Sequence, residues 1–508
     1  MPKRPAHAQV MSTVSVPAPV GGLNARDSLA SMPPTDAYLM VNWFPTPTGL
    51  QVRGGSLDWA TGMTGWVETV MVYNGYTSRK MFAACGGNIY DATSQGAVGA
   101  AVVTGNTSNR WQYVNFGTAG GQFLMAVNGN DHGQVYNGST WSAASLTGVA
   151  DTLLIYPFVF KGRLYFIQRD TLKIWYLAAG AISGALSAFD LSSIFRLGGY
   201  LVAASSWNVD TVAGPQDYLA LVSSEGEVAV YQGFDPTQSS TWSLVGTFRV
   251  GRPVGRRCLQ KIGADLMIIS VDGLYPLSDA MLTDRSQEQK AISYKIENLI
   301  NADAQTYGNN FGWQVVLFPV GNKIIVNVPM VENVSQYQYV MNTITQAWTV
   351  FNGWNAACFE QMGDALFYGT NGKVVKCDVG SVDNSAAIIT DLGPAYSYFG
   401  SPGENKQFTM ARPVFQKQGS VGTSVILNTD FRNSQPTSTL TLPPSANASF
   451  WNVSPWNTSF WSYDGQIQLN WQTVFGVGYC ASLRMKTISK TSDALLAIDY
   501  GYQRGGVL

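Results

Sequence analysis

Histidine is almost missing from this chain: only His7 and His132 occur in 508 residues. That scarcity argues against chemistry built on an imidazole base or on a cluster of histidine ligands. Cysteine is nearly as sparse, and Cys85, Cys258, Cys358, Cys377 and Cys480 include no Cys-x-x-Cys pair. Their scatter and odd number point to buried thiols in a reducing compartment rather than to disulfides or a thiolate metal site. Charge is thin as well, at 12% Asp, Glu, Lys and Arg against about 25% in an ordinary soluble domain. A formal net charge of -1 argues against a broadly basic face that grips nucleic acid. No window offers the roughly 20 apolar residues of a membrane-crossing helix. The opening Met1 to Val20 lacks the apolar run of a secretory signal, so the Asn-x-Ser/Thr sequons are read as composition rather than as glycosylation sites.

What the chain does contain favours strands. It has 24 Tyr, 23 Phe, 15 Trp and 52 Gly, residues suited to half-buried pleated surfaces and the turns between them. Residues 1–60 read as an extended N-terminal arm, with prolines at 17, 19, 33, 34, 45 and 47 blocking regular helix and central strand. From 61 to 380 one unit recurs: an apolar strand, a turn rich in Gly, Asn or Asp, and a second strand that often closes near Tyr. Met81 to Tyr90, Phe123 to Tyr136, Leu164 to Tyr176, Tyr218 to Tyr231, Leu266 to Tyr275, Ile324 to Tyr339 and Leu366 to Val375 all read as β-hairpins. Tryptophan returns after such strands in Ser139-Thr-Trp-Ser142, Ser240-Thr-Trp-Ser243 and Gln346-Ala-Trp-Thr349. The spacing fits the four-stranded blades of a β-propeller of about 6–7 blades. One amphipathic helix is expected near 286–304, with Ser286 and Gln289 as a capping box and Ile292, Ile296, Leu299 and Ile300 on one face. Residues 381–508 alternate apolar and polar in the manner of a C-terminal β-sandwich domain. The fold class expected is therefore all-β.

Searches for chemistry mostly fail on physical grounds. The turn Asn128 to Gly133 offers a calcium ion one carboxylate, Asp131, where several are needed. Thr370-Asn-Gly-Lys-Val374 lacks the glycine spacing of a phosphate loop. The carboxylates Asp170, Glu225, Glu227, Asp272 and Asp364 and the Ser270-Val-Asp-Gly273 segment are candidates for glycosidase chemistry, but sit where turn formers are expected. No catalytic, cofactor-binding or metal residue is assigned. Two features remain as binding candidates. Arg249, Arg252, Arg256, Arg257 and Lys261 form a basic run without an intervening acid, suited to phosphates, to an acidic neighbour or to solvent. Trp451, Trp456 and Trp461 lie in a stretch that repeats Ser-Phe-Trp and suit a subunit interface.

The arm carries a resemblance. Val20-Gly-Gly-Leu-Asn-Ala-Arg-Asp-Ser-Leu-Ala30, Met32-Pro-Pro-Thr-Asp-Ala37, Asn42-Trp-Phe-Pro45 and Val52-Arg-Gly-Gly-Ser56 resemble the start of a family of phage and prophage tail proteins. Arg110-Trp-Gln-Tyr-Val-Asn-Phe116 and Tyr396-Ser-Tyr-Phe-Gly-Ser-Pro402 resemble it too. The family is that of the podovirus tail nozzle, or tail tubular protein. The resemblance implies a non-enzymatic structural protein of the virion tail, a hexamer that conducts double-stranded DNA without sequence specificity and helps retain it after packaging. It implies an adaptor or portal-side ring and tail fibres or a needle as partners, and no cofactor or nucleotide. The competing readings are a propeller-type glycan hydrolase and a carbohydrate-binding tail module.

Overall fold

A computed structural model describes all residues except 1–10, 212–213, 239, 283–290, 418–420, 442–465, 469 and 508. Nearly all of its regular structure is strand, arranged in many small sheets. The described residues form two compact units, one holding 1–56, 339–353 and 378–508, the other 57–338 and 354–377.

The larger unit is a succession of small antiparallel sheets. Val67–Asn74 opens the first, and Gln112–Thr118, Leu154–Phe160, Leu201–Thr211, Leu259–Ile262, Gln314–Phe318 and Cys358–Met362 open those that follow. Each opening strand touches the next, and the last returns to Val67–Asn74, so the series closes on itself. The last sheet also takes Ser56–Thr61 alongside Lys373–Cys377. An N-terminal strand thus completes a sheet made otherwise from the unit's C-terminal end. This is the arrangement of a β-propeller, which leaves only short edges exposed.

Each recurrent hairpin supplies the second and third strands of one such sheet, as Arg163–Gln168 and Lys173–Tyr176 do. The returning tryptophans Trp141 and Trp242 begin fourth strands. Trp141 stands opposite Tyr136, and Trp242 stacks on Tyr231 with ring centroids 5.4 Å apart.

Strand alternation explains why these segments read as continuous apolar runs. Val70 and Val72 pack with Phe367 and Val374 of the last sheet, whereas Met71 and Tyr73 pack with Leu124 and Ala126 of the second. Met125 and Val127 face onward to Leu164 and Phe166. Tyr165 and Ile167 face Leu219 and Leu221, and Ala220 and Val222 face Leu266 and Ile268. Both faces of a sheet are therefore buried, and every residue of its middle strands tends to be apolar.

Residues 12–56, expected as an extended arm, are built into the smaller unit. Ser12–Pro17 pairs with Ala494–Val507, and Asp36–Val41 pairs with Ala386–Pro394. Pro19, Pro33, Pro34 and Pro47 fall in the connections, Pro17 ends its strand, and Trp43–Thr46, which contains Pro45, is an outer strand of its sheet. The unit has two sheets, one centred on Glu404–Lys417 and Ala494–Val507, the other on Ala386–Pro394 and Ala481–Ser489. Leu483 N–H of the second donates to Tyr500 Oη of the first at 3.2 Å. Phe399 joins Phe408, Tyr500 and Tyr502 in one aromatic cluster.

The expected helix is shorter than its sequence pattern. Ser286 and Gln289, its capping box, lie outside the described residues. A 3-10 turn at Tyr294–Ile296 precedes an α-helix at Glu297–Tyr307, which buries Ile300 and Ala304. Ser293 Oγ accepts from Leu274 N–H at 3.0 Å, which ties the chain before the helix to a neighbouring strand. A second short helix, Leu277–Leu282, was not signalled by periodicity. Among the described residues, no helix is long and apolar enough to cross a membrane.

A buried ion pair fixes the smaller unit. Arg53 donates to both Asp383 carboxylate oxygens, at 2.6 and 3.1 Å, to Asn42 Oδ1 at 3.0 Å and to Asn352 O at 2.7 Å. Its side chain is 1% exposed. Removing one partner strands the other charge, so Arg53→Ala is expected to destabilise this unit by about 3–5 kcal/mol. Urea unfolding followed by tryptophan fluorescence checks this; a loss below about 1 kcal/mol contradicts it.

Candidate functional site

The basic run does not form one patch. Arg249 ends the strand Trp242–Arg249 and is exposed. Arg252 lines a cavity of about 350 Å³ with Asp272 and Asn301. Lys261 donates to Ser206 Oγ at 2.6 Å, and burial lowers its pKa. Only Arg256 and Arg257 point the run toward a shared site. Trp451, Trp456 and Trp461 lie outside the described residues.

Arg256 and Arg257 line a second cavity, of about 320 Å³, together with Arg110 and Arg169. The topology explains the meeting of residues so far apart in sequence. Arg110 precedes the opening strand Gln112–Thr118, Arg256 and Arg257 precede Leu259–Ile262, and Phe311 precedes Gln314–Phe318. Asn128, Asn130 and Arg169 follow second strands, in the turns before the third. Approaches to opening strands and turns after second strands emerge at the same end of such sheets. The closed series gathers them. Sequence reading reached Arg256 and Arg257 through local density, but had no signal for Arg110 and Arg169, which stand apart from any basic run.

Three of the four guanidinium groups are held by the protein. Arg110 donates to Glu68 Oε1 at 3.2 Å, pairs closely with Glu332, and lies over the Phe311 ring at 4.4 Å. Arg257 donates to Glu68 O at 3.3 Å, Thr69 Oγ1 at 2.9 Å and Trp111 O at 3.2 Å, and lies 5.2 Å from the same ring centroid. Its hydrogen bonds all go to neutral oxygens. Arg169 donates to Gly129 O at 2.5 Å and Asn130 Oδ1 at 2.8 Å. Gly129 has φ +79°, a left-handed geometry suited to glycine, and this turn presents its carbonyl to Arg169.

Arg256 differs: among the described residues it makes no hydrogen bond and no ion pair. Burial lowers its pKa, opposed by the charge of Asp170 and reinforced by those of Arg169 and Arg110. A guanidinium stays protonated across the accessible pH range, so the cavity retains its positive charge.

The remaining candidates have structural employment. Asp131 accepts from Thr107 N–H and Ser108 N–H and from Asn128 Nδ2. Burial pushes its pKa up, but these bonds outweigh it and hold the carboxyl below its ordinary value. His132 Nδ1 lies 3.0 Å from Asp151. Glu227 accepts from Arg196 N–H and Leu197 N–H. In the Ser270-Val-Asp-Gly273 segment, Ser270 Oγ accepts from Asp272 N–H at 3.2 Å, closing the turn. Asp170, Glu225, Asp272 and Asp364 each occupy a turn of a different sheet. All five cysteines are buried thiols, and burial pushes Cys85 and Cys358 up to about 11 and Cys258 to about 12. Among the described residues, no group of His, Cys, Asp and Glu is disposed to hold a metal ion.

A third cavity, of about 370 Å³, is lined by residues of several opening strands, including Tyr113, Tyr156, Gln314 and Glu360. Arg257 borders both this cavity and the arginine-lined one. Burial raises the Glu360 carboxyl above its ordinary value, against hydrogen bonds with Tyr113 and Gln361 and the charge of Arg257.

No family model and no curated protein sequence matches the chain. Among solved structures, BBS1N in complex with ARL6DN, soaked with mercury, is similar at TM-score 0.39 and 11% identity, over 64% of this chain and 97% of that one. The same complex soaked with lead gives 0.40. A computationally designed protein, Ika8, gives 0.37 at 8% identity, over 63% of this chain and 98% of its own. Likenesses at this level carry no argument about what the chain does.

The raised Glu360 carboxyl has a defined consequence for stability. The folded state favours its neutral form, a contribution fully present below the ordinary glutamate range and lost as pH rises through the raised folded value. Glu360→Gln keeps a neutral side chain of similar size at every pH. The variant's melting temperature is expected to gain on the native protein's between pH about 4 and about 8. Thermal melts across that interval check it, and a pH-independent difference refutes it.

Proposed function

We propose that this chain is a structural subunit of the tail nozzle of a short-tailed bacteriophage, without enzymatic activity. In this reading it assembles as a hexamer, meets a portal-side or adaptor ring and tail fibres or a needle, and conducts DNA during ejection. Its place is the virion tail, and the larger unit is a seven-bladed propeller, one blade for each opening strand. The smaller unit is a β-sandwich.

The observation that carries the reading is the resemblance of the arm motifs to the start of the nozzle family. Their residues hold fold-building positions. Asn24 donates to Asp36 at 2.8 Å and to Asp27 at 2.9 Å. Trp43 is fully buried and stacks against Phe415, and Asn42 and Arg53 belong to the buried network around Asp383. A resemblance borne by such residues supports a common fold for the unit rather than a common composition. The low charge fits a subunit with large contacts, since few ions need be desolvated when copies meet.

A glycan hydrolase requires carboxylates about 5–10 Å apart across a bound sugar, whereas the candidate carboxylates are dispersed over turns of several sheets. The test is native mass measurement and negative-stain imaging of the purified chain, alone and with portal or adaptor rings. A ring with an axial opening wide enough for duplex DNA is the expected result. A stable monomer that binds no ring and cleaves host glycans refutes the proposal. A monomer that still docks on the rings is consistent with it, because assembly can be driven by the neighbour.

A further inference from the structure

We propose that the cavity lined by Arg110, Arg169, Arg256 and Arg257 is a binding site for a phosphate group. The site is independent of the tail reading.

Four guanidinium groups from three separate segments of chain converge on one space of about 320 Å³. Like charges this close repel, and the protein offsets only part of that repulsion. Arg110 is neutralised by Glu68 and Glu332. Arg169 has only Asp170, whose carboxylate is 3.9 Å away and mostly exposed, so solvent screens the pair. Arg257 spends its hydrogen bonds on two carbonyls and a hydroxyl, and Arg256, near the charge of Asp170, makes none among the described residues. The cavity thus presents at least two guanidinium charges with no bonded carboxylate.

The arrangement is also rigid where a ligand needs it to be. The Phe311 ring lies against both Arg110 and Arg257, and Phe311 N–H is itself anchored on Glu332 at 3.0 Å. The turn carrying Asn130 and Gly129 positions Arg169, and Asn128 locks that turn by accepting from Asn130 N–H at 2.9 Å and Asp131 N–H at 2.8 Å. Around the guanidinium groups stand neutral amide side chains, Asn309 and Gln112 among them. Donors fixed in advance reduce the ordering cost of binding.

Phosphate is the anion that this chemistry suits best. Arginine forks match its oxygens with paired N–H bonds. A monoester carries a charge of about -1.5 to -2 at pH 7 and three strong acceptor oxygens, enough to engage several guanidinium groups from different directions. A lone carboxylate offers two oxygens and one charge. The phosphate can come from a small molecule or from the end of a DNA strand, and the two sources share this recognition chemistry.

The experiment is calorimetric titration of the full chain with inorganic phosphate, and separately with a short DNA duplex bearing or lacking 5′-phosphates, at fixed ionic strength. Saturable binding of phosphate is expected, weakened at least about tenfold in Arg256→Gln. Because Arg256 makes no hydrogen bond among the described residues, that variant should melt no lower than the native protein. Arg249→Gln, outside the cavity, should bind as the native protein does. Binding of inorganic phosphate that the duplexes do not compete assigns a small-molecule source. Tighter binding of the 5′-phosphorylated duplex, displaced by phosphate and lost in Arg256→Gln, assigns a DNA end. The proposal is overturned if neither phosphate nor the phosphorylated duplex binds, if Arg256→Gln binds as well as the native protein, or if Arg249→Gln weakens binding equally.

Discussion

The larger unit depends on one constraint: each of its small sheets is apolar on both faces. A sheet of three or four short strands that exposed either face would leave a row of valine, leucine and phenylalanine side chains in water, at about 1.5–3 kcal/mol for each. Placing the next sheet against it covers one face and exposes another further on. Only a series that returns to its beginning covers every face. The return is visible in Val70 and Val72 of the first sheet, packed with Phe367 and Val374 of the last. The strand Ser56–Thr61, paired beside Lys373–Cys377, stitches the two ends with backbone hydrogen bonds as well.

This constraint also decides what can be read from the sequence. The hairpins are legible because their middle strands are apolar on both faces and their turns carry Gly, Asn or Asp, so the pattern survives in a window of about ten residues. Val67–Asn74 and Gln112–Thr118, which open their sheets, are less so. Gln112 to Thr118 mixes Gln, Tyr, Val, Asn and Phe, because one end of such a strand lines a polar cavity. The arm misleads for a different reason. Proline and glycine in 1–60 exclude long strands, and short ones are what the chain forms there, several of them paired with partners more than 300 residues away, as Met40 is with Leu392. No local window contains that partner. The helix near 286–304 shows the reverse failure: periodicity marks the buried face of Ile296 and Ile300, but not the side-chain bond of Ser293 to a neighbouring strand that delays the helical start.

The arginine-lined cavity lies at the same limit of legibility. A run such as Arg249 to Lys261 suggests a patch because its members are close in sequence, but strand alternation and turns send them to different places. Arg249 goes to an exposed strand end, Lys261 to Ser206, and Arg252 to a cavity with Asp272. Convergence comes instead from equivalence of position. Arg110, Arg256 and Arg257 precede opening strands, and Arg169 follows a second strand. A sequence reader who first placed the sheets in a closed series, and only then asked which charged residues occupied equivalent connections, would have gathered these four.

Closure of the series therefore has two outcomes. It removes apolar faces from water, and it brings connections from several sheets to one end, where their side chains must coexist. Glu68 shows how the sequence manages that crowding. Its carboxylate binds Arg110 and Asn333, and its carbonyl binds Arg257, so one residue of the first sheet organises segments that enter from three others. If the purpose of such a network were stability alone, a fourth arginine left without a hydrogen bond would be a plain cost, since a partly desolvated cation without a partner opposes folding. Arg256 is partly desolvated beside Arg110 and Arg169, whose charges oppose its own, and the nearby charge of Asp170 offsets only part of that cost. A fold that tolerates this cost at a cavity, while satisfying the neighbouring guanidinium groups one by one, has the physical character of a binding site rather than of a structural junction.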